Sequence, residues 1–220
     1  MEHPCLEEKL KKDWFEKFEK SDESTEAINE IIRNYCVKGR FYHDLAHVMN
    51  GLEEIKRTGL TRKALYLAQL THDIYYDVFV NDADNVQKSA NYTRELALRL
   101  GLDKESAEES HRLVVVTDHK TRPEGFYQKV MVDIDLAVFG KDENTFFEYD
   151  KNIRKEYAHA PWEEFRKRRA SILERFLEKD HIYNTAEFRD EYEKKARENL
   201  KNCISRLKDP QAQDYLLPDQ

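Results

Sequence analysis

The sequence predicts an all-α protein folded as a single-domain helical bundle. It contains only 6 glycines and 5 prolines in 220 residues, which is too few for the frequent turns of a β-sandwich or barrel. Apolar residues recur instead with the helical period of 3.6 over long stretches. We therefore expect one domain over residues 1–220, with a core over about 10–202 and a C-terminal tail over about 208–220.

Three helices are expected before residue 60. Residues 6–20 carry an apolar stripe on one helical face. Ser24 is expected to cap a second helix, which ends at Gly39. A third helix is expected over about 43–57. The pair Asn50-Gly51 is typical of a hairpin turn, but no alternating strands flank it, so we expect the helix to continue through it.

The next predicted helix is the most apolar of the chain. The segment RKALYLAQLTHDIYYD (62–77) is hydrophobic on nearly all sides, as expected of a central buried helix. NDADN (81–85) predicts a polar loop. Further helices are expected over about 86–100, 104–118, 127–139, 143–158, 161–178 and 185–207.

Two later segments are less regular. VMVDIDLAVF (130–139) has strand propensity, but the helical pattern on both sides favours a buried helix. The tail QAQDYLLPDQ (211–220) is expected either to fray or to dock through Leu216 and Leu217.

Charge and hydropathy exclude several classes of protein. The chain has 37 Lys and Arg against 44 Asp and Glu, a formal net charge of −7. An acidic balance argues against binding a nucleic-acid polymer, which needs a basic face. No segment approaches the roughly 20 apolar residues that cross a bilayer, so we expect no membrane partner.

Cysteine usage predicts a cytoplasmic protein. The three cysteines are odd in number and form no CxxC pair, so they indicate neither a disulfide framework nor a zinc–thiolate site. Residues 1–14 contain no apolar run typical of a secretory signal. The oligomeric state stays open, a homo-oligomer included.

Several ionisable residues interrupt apolar helical segments. They are His43, His47, His72, Asp73, Asp133 and Asp135. A buried carboxylate is costly unless it is paired or coordinated, and one cation could satisfy several of these groups together. Imidazole and carboxylate together suit divalent transition metals, whereas calcium prefers a cage of oxygens.

Each of these features has an ordinary explanation when taken alone. A lone core histidine is more often hydrogen-bonded than metal-bound, and an HD dipeptide occurs by chance in many proteins. The spacing of His43 and His47 by four residues would put both imidazoles on one helical face, which also occurs on plain surfaces. The ordered combination of a His pair, an HD dipeptide and a later Asp favours a metal site.

Three motifs resemble the H…HD…D signature of the HD-domain metal-dependent phosphohydrolases. They are RFYHDLAHV (40–48), LAQLTHDIYYD (67–77) and VDIDLAVFG (132–140). The match is closer to a branch of small HD phosphohydrolases of about 200 residues. That pattern continues at Asn85…Ser89-Ala90, Thr117-Asp118-His119, Ile153-Arg154-Lys155-Glu156-Tyr157, RFLEKDHIYNT (175–185) and EKKARENL (193–200). The resemblance covers about residues 10–202.

The branch commonly has Asn-Glu where this chain has Asn85-Val86, so the role of this loop in binding substrate or a second metal stays open.

The resemblance implies a ligand set and a proton donor. The implied metal ligands are His47, His72, Asp73 and Asp135. Asp133 is the alternative to Asp135, or else orients a ligand. His43 corresponds to the histidine that protonates the leaving oxygen in related phosphodiesterases; the alternative is that it only caps or supports a ligand.

Further residues are candidates for contacts around the metal. Asp77 would orient the attacking water or simply end a helix, and Tyr76 would line the pocket or belong to the core. Arg154 and Lys120 are candidate phosphate clamps, because a guanidinium can grip an oxyanion with two donors. His119 matches a motif of the branch and would lie near the substrate.

The predicted function is hydrolysis of a small phosphate ester, for which the resemblance favours a nucleotide or a similar metabolite. Asp73 would bind the metal and help to position the attacking water. The identity of the divalent ion stays open among Mn, Co, Ni, Fe, Zn and Mg. One alternative is an HD-fold diiron oxygenase, which would need both His111 and His119 at the site. Another is a non-catalytic helical module that keeps the metal for folding.

Overall fold

The structure is a computed structural model that describes residues 3–214, with side chains from Cys5 onward. Every regular element in this range is helical, which confirms the predicted all-α class. The chain divides into two compact units, one ending at Ile134 and the other beginning at Asp135. None of the helices between residues 3 and 214 combines the length and apolar character needed to cross a membrane.

The first unit is built from seven α-helices among its described residues. They are α1 (His3–Lys17), α2 (Asp22–Tyr35), α3 (Leu45–Thr58), α4 (Lys63–Thr71), α5 (Asp82–Arg99), α6 (Lys104–Val115) and α7 (Gly125–Asp135). A 3₁₀ turn, Val116–Asp118, extends α6. Helix α4 is buried at every position from Ala64 to Thr71, as predicted for a central helix surrounded by its neighbours.

The second unit contains one 3₁₀ helix, four α-helices and a π-helical stretch among its described residues. Its elements are the 3₁₀ helix Leu136–Gly140, α8 (Glu143–Glu156), α9 (Trp162–Leu177), α10 (Ala186–Phe188), a π-helical stretch (Arg189–Glu193) and α11 (Lys194–Lys208). Helical structure across 130–139 confirms the prediction of a helix over a strand. The predicted docking of Leu216 and Leu217 lies outside the described residues.

Two helix starts differ from the prediction. Ser21 caps α2 in place of Ser24: its hydroxyl accepts from the Ser24 N–H at 3.1 Å, while Ser24 Oγ accepts from the Ser21 N–H at 3.0 Å. Helix α5 begins inside the predicted NDADN loop, because Asn81 accepts from the Ala83 N–H at 3.2 Å. Short polar side chains favour N-caps as strongly as turns, which explains both errors.

The end of α2 also differs from the prediction. The helix stops at Tyr35 and not at Gly39, and Cys36 is its C-cap. Gly39 lies in the connection to α3, where its φ of 102° is readily adopted only by glycine.

Helices α3 and α4 approach closely at a glycine. Gly51 is buried inside α3, as expected from continuing the helix through Asn50-Gly51. A Cβ atom at Gly51 would lie 2.0 Å from Nε2 of Gln69 on α4. The Gln69 side chain is fully buried, and its amide donates to the Val48 carbonyl at 3.4 Å. A side chain at position 51 would therefore have to displace the buried Gln69 amide group.

We predict that Gly51→Ala destabilises the protein by about 1–3 kcal/mol, the usual cost of overpacking a core. Helix propensity alone predicts the opposite sign, a gain of about 0.5–1 kcal/mol from replacing glycine within a helix. The measurement is the free energy of unfolding by urea. Adding Gln69→Ala should recover part of the loss, because it removes the atoms that the new methyl group meets. A stabilising effect of Gly51→Ala would contradict this close packing.

Candidate metal centre

The HD dipeptide lies just beyond the end of α4. The helix stops at Thr71, and His72 is its C-cap. The Ile74 N–H donates to the Thr71 carbonyl at 3.2 Å, which closes a tight turn across His72 and Asp73. The prediction that this dipeptide lies within the helix is wrong, because the last helical carbonyl is used by this turn and not by a further α-helical turn.

The two histidines of the RFYHDLAHV motif do not share a helix. Asp44 caps α3: its Oδ1 accepts from the N–H groups of Ala46 at 2.9 Å and His47 at 3.1 Å. Helix α3 therefore begins at Leu45, so only His47 is helical and the predicted helical pairing with His43 is wrong. The two imidazole centroids nevertheless lie 5.9 Å apart.

Three of the predicted ligands converge. Nε2 of His47 lies 3.0 Å from Nε2 of His72, and Oδ2 of Asp73 lies 3.0 Å from Nε2 of His72 and 3.6 Å from Nε2 of His47. Both histidines are buried, and the Asp73 side chain is 16% exposed. Within the described part of the chain, these three residues form a group of donor atoms that could hold a metal ion.

A backbone contact fixes the orientation of His72. Its Nδ1 lies 3.0 Å from the Gln69 carbonyl oxygen. A carbonyl can only accept, so Nδ1 carries the proton and donates it. In the neutral ring, Nε2 is then left as a lone pair that faces His47 and Asp73. Metal-binding histidines are commonly oriented by a contact of this kind.

The charge of Asp73 is stabilised by its neighbours. Burial alone would raise the pKa of this carboxyl, but the positive charge that the imidazoles of His72, His47 and His43 carry when protonated holds it well below its usual range. A carboxylate that stays ionised beside two imidazoles is a donor set suited to a divalent transition metal.

The spacing of the donors also suits one ion. Bonds from nitrogen to zinc are about 2.0–2.1 Å long, so two nitrogens on the same ion lie no more than about 4 Å apart. The 3.0 Å between the two Nε2 atoms meets this limit. We conclude that His47, His72 and Asp73 can bind one divalent ion together.

His43 and Tyr76 stand beside this group. Their rings are stacked, with centroids 3.8 Å apart and an interplanar angle of 23°. Tyr42 contacts both histidines of the motif, with ring centroids 5.0 Å from His43 and 4.7 Å from His47. The side chain of His43 is partly exposed, so aromatic contacts orient this imidazole without enclosing it.

Helix α5 supports the loop that follows the HD dipeptide. The Asn85 amide donates to the Asp77 carbonyl at 2.9 Å, and the Ser89 hydroxyl accepts from the Tyr75 N–H at 3.2 Å. The exposed Asp77 carboxylate accepts from the Phe79 N–H at 2.9 Å, so it stabilises a turn. The predicted roles of Asn85 and Asp77 toward substrate or water stay predictions.

Two further histidines of the first unit lie outside the ligand group. His111 is in α6, with Nε2 3.2 Å from the Gln87 amide nitrogen. His119 follows the 3₁₀ turn after α6 and has a left-handed backbone with φ of 55°. Lys120 is exposed, and its N–H donates to the Asp118 carboxylate at 2.8 Å.

The two aspartates of the VDIDLAVFG motif differ in burial. Asp133 is fully buried in α7, whereas Asp135 is partly exposed and is the last residue of that helix. The choice between them as a ligand stays a prediction.

Arg154 has a role that the sequence did not predict. It is buried in the second unit, where Nε and Nη2 donate to the two Asp214 carboxylate oxygens at 2.9 and 2.7 Å. Its Nη1 donates to the Tyr157 carbonyl. These contacts engage all three guanidinium nitrogens and hold the chain near Asp214, and the role of Arg154 as a phosphate clamp stays a prediction.

Sequence reasoning missed Arg40 and Tyr35. Arg40 donates to backbone carbonyls beside the ligands, and the Tyr35 hydroxyl accepts from the Asp73 N–H at 3.2 Å. Arg40 opens the RFYHDLAHV motif, which was the available signal. Tyr35 looks like an ordinary apolar position of α2.

We predict that metal affinity falls steeply as the pH falls, because a protonated imidazole has no lone pair to bind the ion. Two histidines must be deprotonated to bind, so the affinity should change by up to about 100-fold per pH unit. Asp73 releases no further proton when the metal binds, because its pKa is lowered and the carboxyl is already ionised. Asp73→Asn should therefore weaken binding without changing this slope. Titration calorimetry with Mn²⁺ between about pH 5 and 7.5 measures the affinity and its change with pH. In the native protein, a tenfold change in affinity per pH unit would contradict binding by two imidazoles.

Comparisons with known proteins found no relative of this chain. No family model matches the chain, and neither does any curated protein or solved structure. The relation to HD phosphohydrolases therefore stays a prediction from sequence motifs. The evidence for a metal centre is the geometry of His47, His72 and Asp73.

Proposed function

We propose that this protein is a metal-dependent phosphohydrolase of the HD type that acts on a small phosphate ester. The observation that supports the proposal is the convergence of His47, His72 and Asp73 within 4.8 Å, at the ends of two packed helices. The stacked His43 beside this group adds a residue able to transfer a proton.

His47, His72 and Asp73 would hold the ion. A divalent ion at such a site supplies a water molecule of lowered pKa and polarises a phosphoryl oxygen. Asp73 contributes a negative charge and remains partly accessible to solvent. The lone pair of His72 is directed by the Gln69 carbonyl, so this residue needs little reorganisation to bind.

His43 would donate a proton to the leaving oxygen. Imidazole is the side chain that enzymes use most often for proton transfer. Stacking on Tyr76 fixes the plane of the ring, and the distance of 5.9 Å between the His43 and His47 centroids keeps it near the ligands without making it one of the converging donors.

The two alternatives receive less support from the geometry. A diiron oxygenase needs His111 and His119 as ligands, but neither belongs to the group formed by His47, His72 and Asp73. A purely structural ion tends to be saturated by protein ligands, whereas the three donors described leave room for water.

The proposal includes the cellular setting and the partner. Cys5, Cys36 and Cys203 are free thiols, which supports a reducing, cytoplasmic location. The net charge of −7 favours a small phosphorylated substrate held by a metal over a nucleic-acid polymer. A nucleotide or a similar metabolite is the proposed substrate class.

We predict phosphate release that depends strictly on metal. Protein stripped with a chelator should be inactive toward a panel of nucleotides and sugar phosphates, and Mn²⁺ or Co²⁺ should restore activity. Asp73→Asn should be close to inactive because it removes the ligand charge. The matched control is Asp84→Asn, which removes an exposed carboxylate. No phosphate release with any metal, from folded protein that binds the ion, would contradict the proposal and favour the non-catalytic module.

We predict that His43→Ala keeps the metal and lowers turnover by about 10²–10⁴-fold, the usual contribution of a general acid. Metal content by elemental analysis and kcat by phosphate release measure the two effects. His111→Ala is the control, since the phosphohydrolase proposal expects no change in either quantity. Loss of metal in His43→Ala would make His43 a ligand. Loss of both bound iron and oxygen-dependent turnover in His111→Ala would favour the diiron alternative.

A further inference from the structure

Arg40 connects the two segments that carry the candidate ligands. It lies between α2 and α3, and its Nη1 donates to the His43 carbonyl at 3.1 Å and to the Asp73 carbonyl at 2.7 Å. Its Nη2 donates to the Ile74 carbonyl at 2.9 Å. One guanidinium thus binds the turn before α3 to the turn after α4.

Two tyrosines enclose this guanidinium, and each also contacts the site. Cζ of Arg40 lies 5.1 Å from the Tyr35 ring centroid and 5.9 Å from that of Tyr76, within range of cation–π attraction. The Tyr35 hydroxyl accepts from the Asp73 N–H at 3.2 Å, and the Tyr76 ring stacks on His43.

The contacts made by Arg40 are ones that the backbone cannot make for itself. Asp73 and Ile74 follow the end of α4, so their carbonyls have no partner within that helix. A cation at the C-terminal end of a helix is also favoured by the helix dipole. The planar fork of arginine presents several donors in a fixed geometry, whereas lysine presents a single ammonium on a flexible stem.

We propose that Arg40 is a positioning residue that sets the distance between the His43 segment and the His72-Asp73 turn. The inference rests on the proposed metal centre and extends it to a residue that touches neither metal nor substrate. Its effect passes through three backbone carbonyls, so removal of the guanidinium should let the two segments move apart. Metal affinity and the environment of the imidazoles should then change together.

The test compares Arg40→Gln and Arg40→Lys with two controls. Arg33→Gln removes an exposed arginine that pairs with Glu26 on the surface. Asp103→Ala removes the N-cap of α6, where Asp103 accepts from the Ser106 N–H at 2.8 Å, and so lowers stability at another site. The readouts are Mn²⁺ affinity, the imidazole ¹H–¹⁵N spectrum of the metal-free protein, the unfolding midpoint in urea, and kcat and KM.

Arg40→Gln should weaken Mn²⁺ binding by about 10–100-fold, the usual effect of losing a residue that orients metal ligands. The imidazole signals of His43 and His72 should shift, and kcat should fall more than KM rises. Arg40→Lys should recover only part of these losses. Asp103→Ala should lower the unfolding midpoint in urea while its Mn²⁺ affinity stays that of the native protein. This control separates the positioning role of Arg40 from an effect on general stability.

Two results would overturn the inference. One is native Mn²⁺ affinity with unchanged imidazole signals in Arg40→Gln; the other is full recovery by Arg40→Lys. If the native protein bound no Mn²⁺, the proposed metal centre would fail, but the spectrum of the metal-free protein would still decide the role of Arg40. Shifted His43 and His72 signals in Arg40→Gln would then support positioning, and unshifted signals would reject it.

Discussion

The packing of α3 against α4 is the constraint on which the candidate metal centre depends, because α3 contains His47 and α4 ends at His72. The side chain of Gln69 occupies the space that a Cβ atom at Gly51 would need. The backbone carbonyl of the same Gln69 accepts from Nδ1 of His72. Gln69 therefore packs against α3 with its side chain and contacts the His72 imidazole with its carbonyl, and Nε2 of His72 lies 3.0 Å from Nε2 of His47.

The candidate ligands lie at helix ends, where backbone groups lack helical partners. Asp44 satisfies the first N–H groups of α3, and Arg40 satisfies carbonyls beyond the end of α4. Tyr35 accepts from the Asp73 N–H. These contacts hold short, irregular segments in one conformation. The polar side chains on these segments can therefore converge in a largely buried place, and little entropy is lost when an ion binds. The candidate metal centre and the partly exposed His43 both depend on this arrangement.

The sequence predicted the helical class, and three of the four residues that the resemblance implies as metal ligands, His47, His72 and Asp73, lie together. Apolar periodicity identifies helices, and an ionisable residue among apolar ones identifies a site. The limits of helices were less predictable, since Asp44 and Asn81 act as caps although similar residues also form turns. The pairing of Arg154 with Asp214 joins positions 60 residues apart, and no local pattern encodes such a contact. Arg40 was missed for the same reason, because its partners are backbone carbonyls that any residue provides.

The most direct test of the metal centre is anomalous diffraction from a crystal soaked in Mn²⁺ or Co²⁺, with data collected at the absorption edge of the ion. The account predicts an anomalous peak about 2.0–2.3 Å from Nε2 of His47, Nε2 of His72 and a carboxylate oxygen of Asp73. A peak bound elsewhere, or a fully loaded protein with these three side chains turned away from the ion, would contradict it.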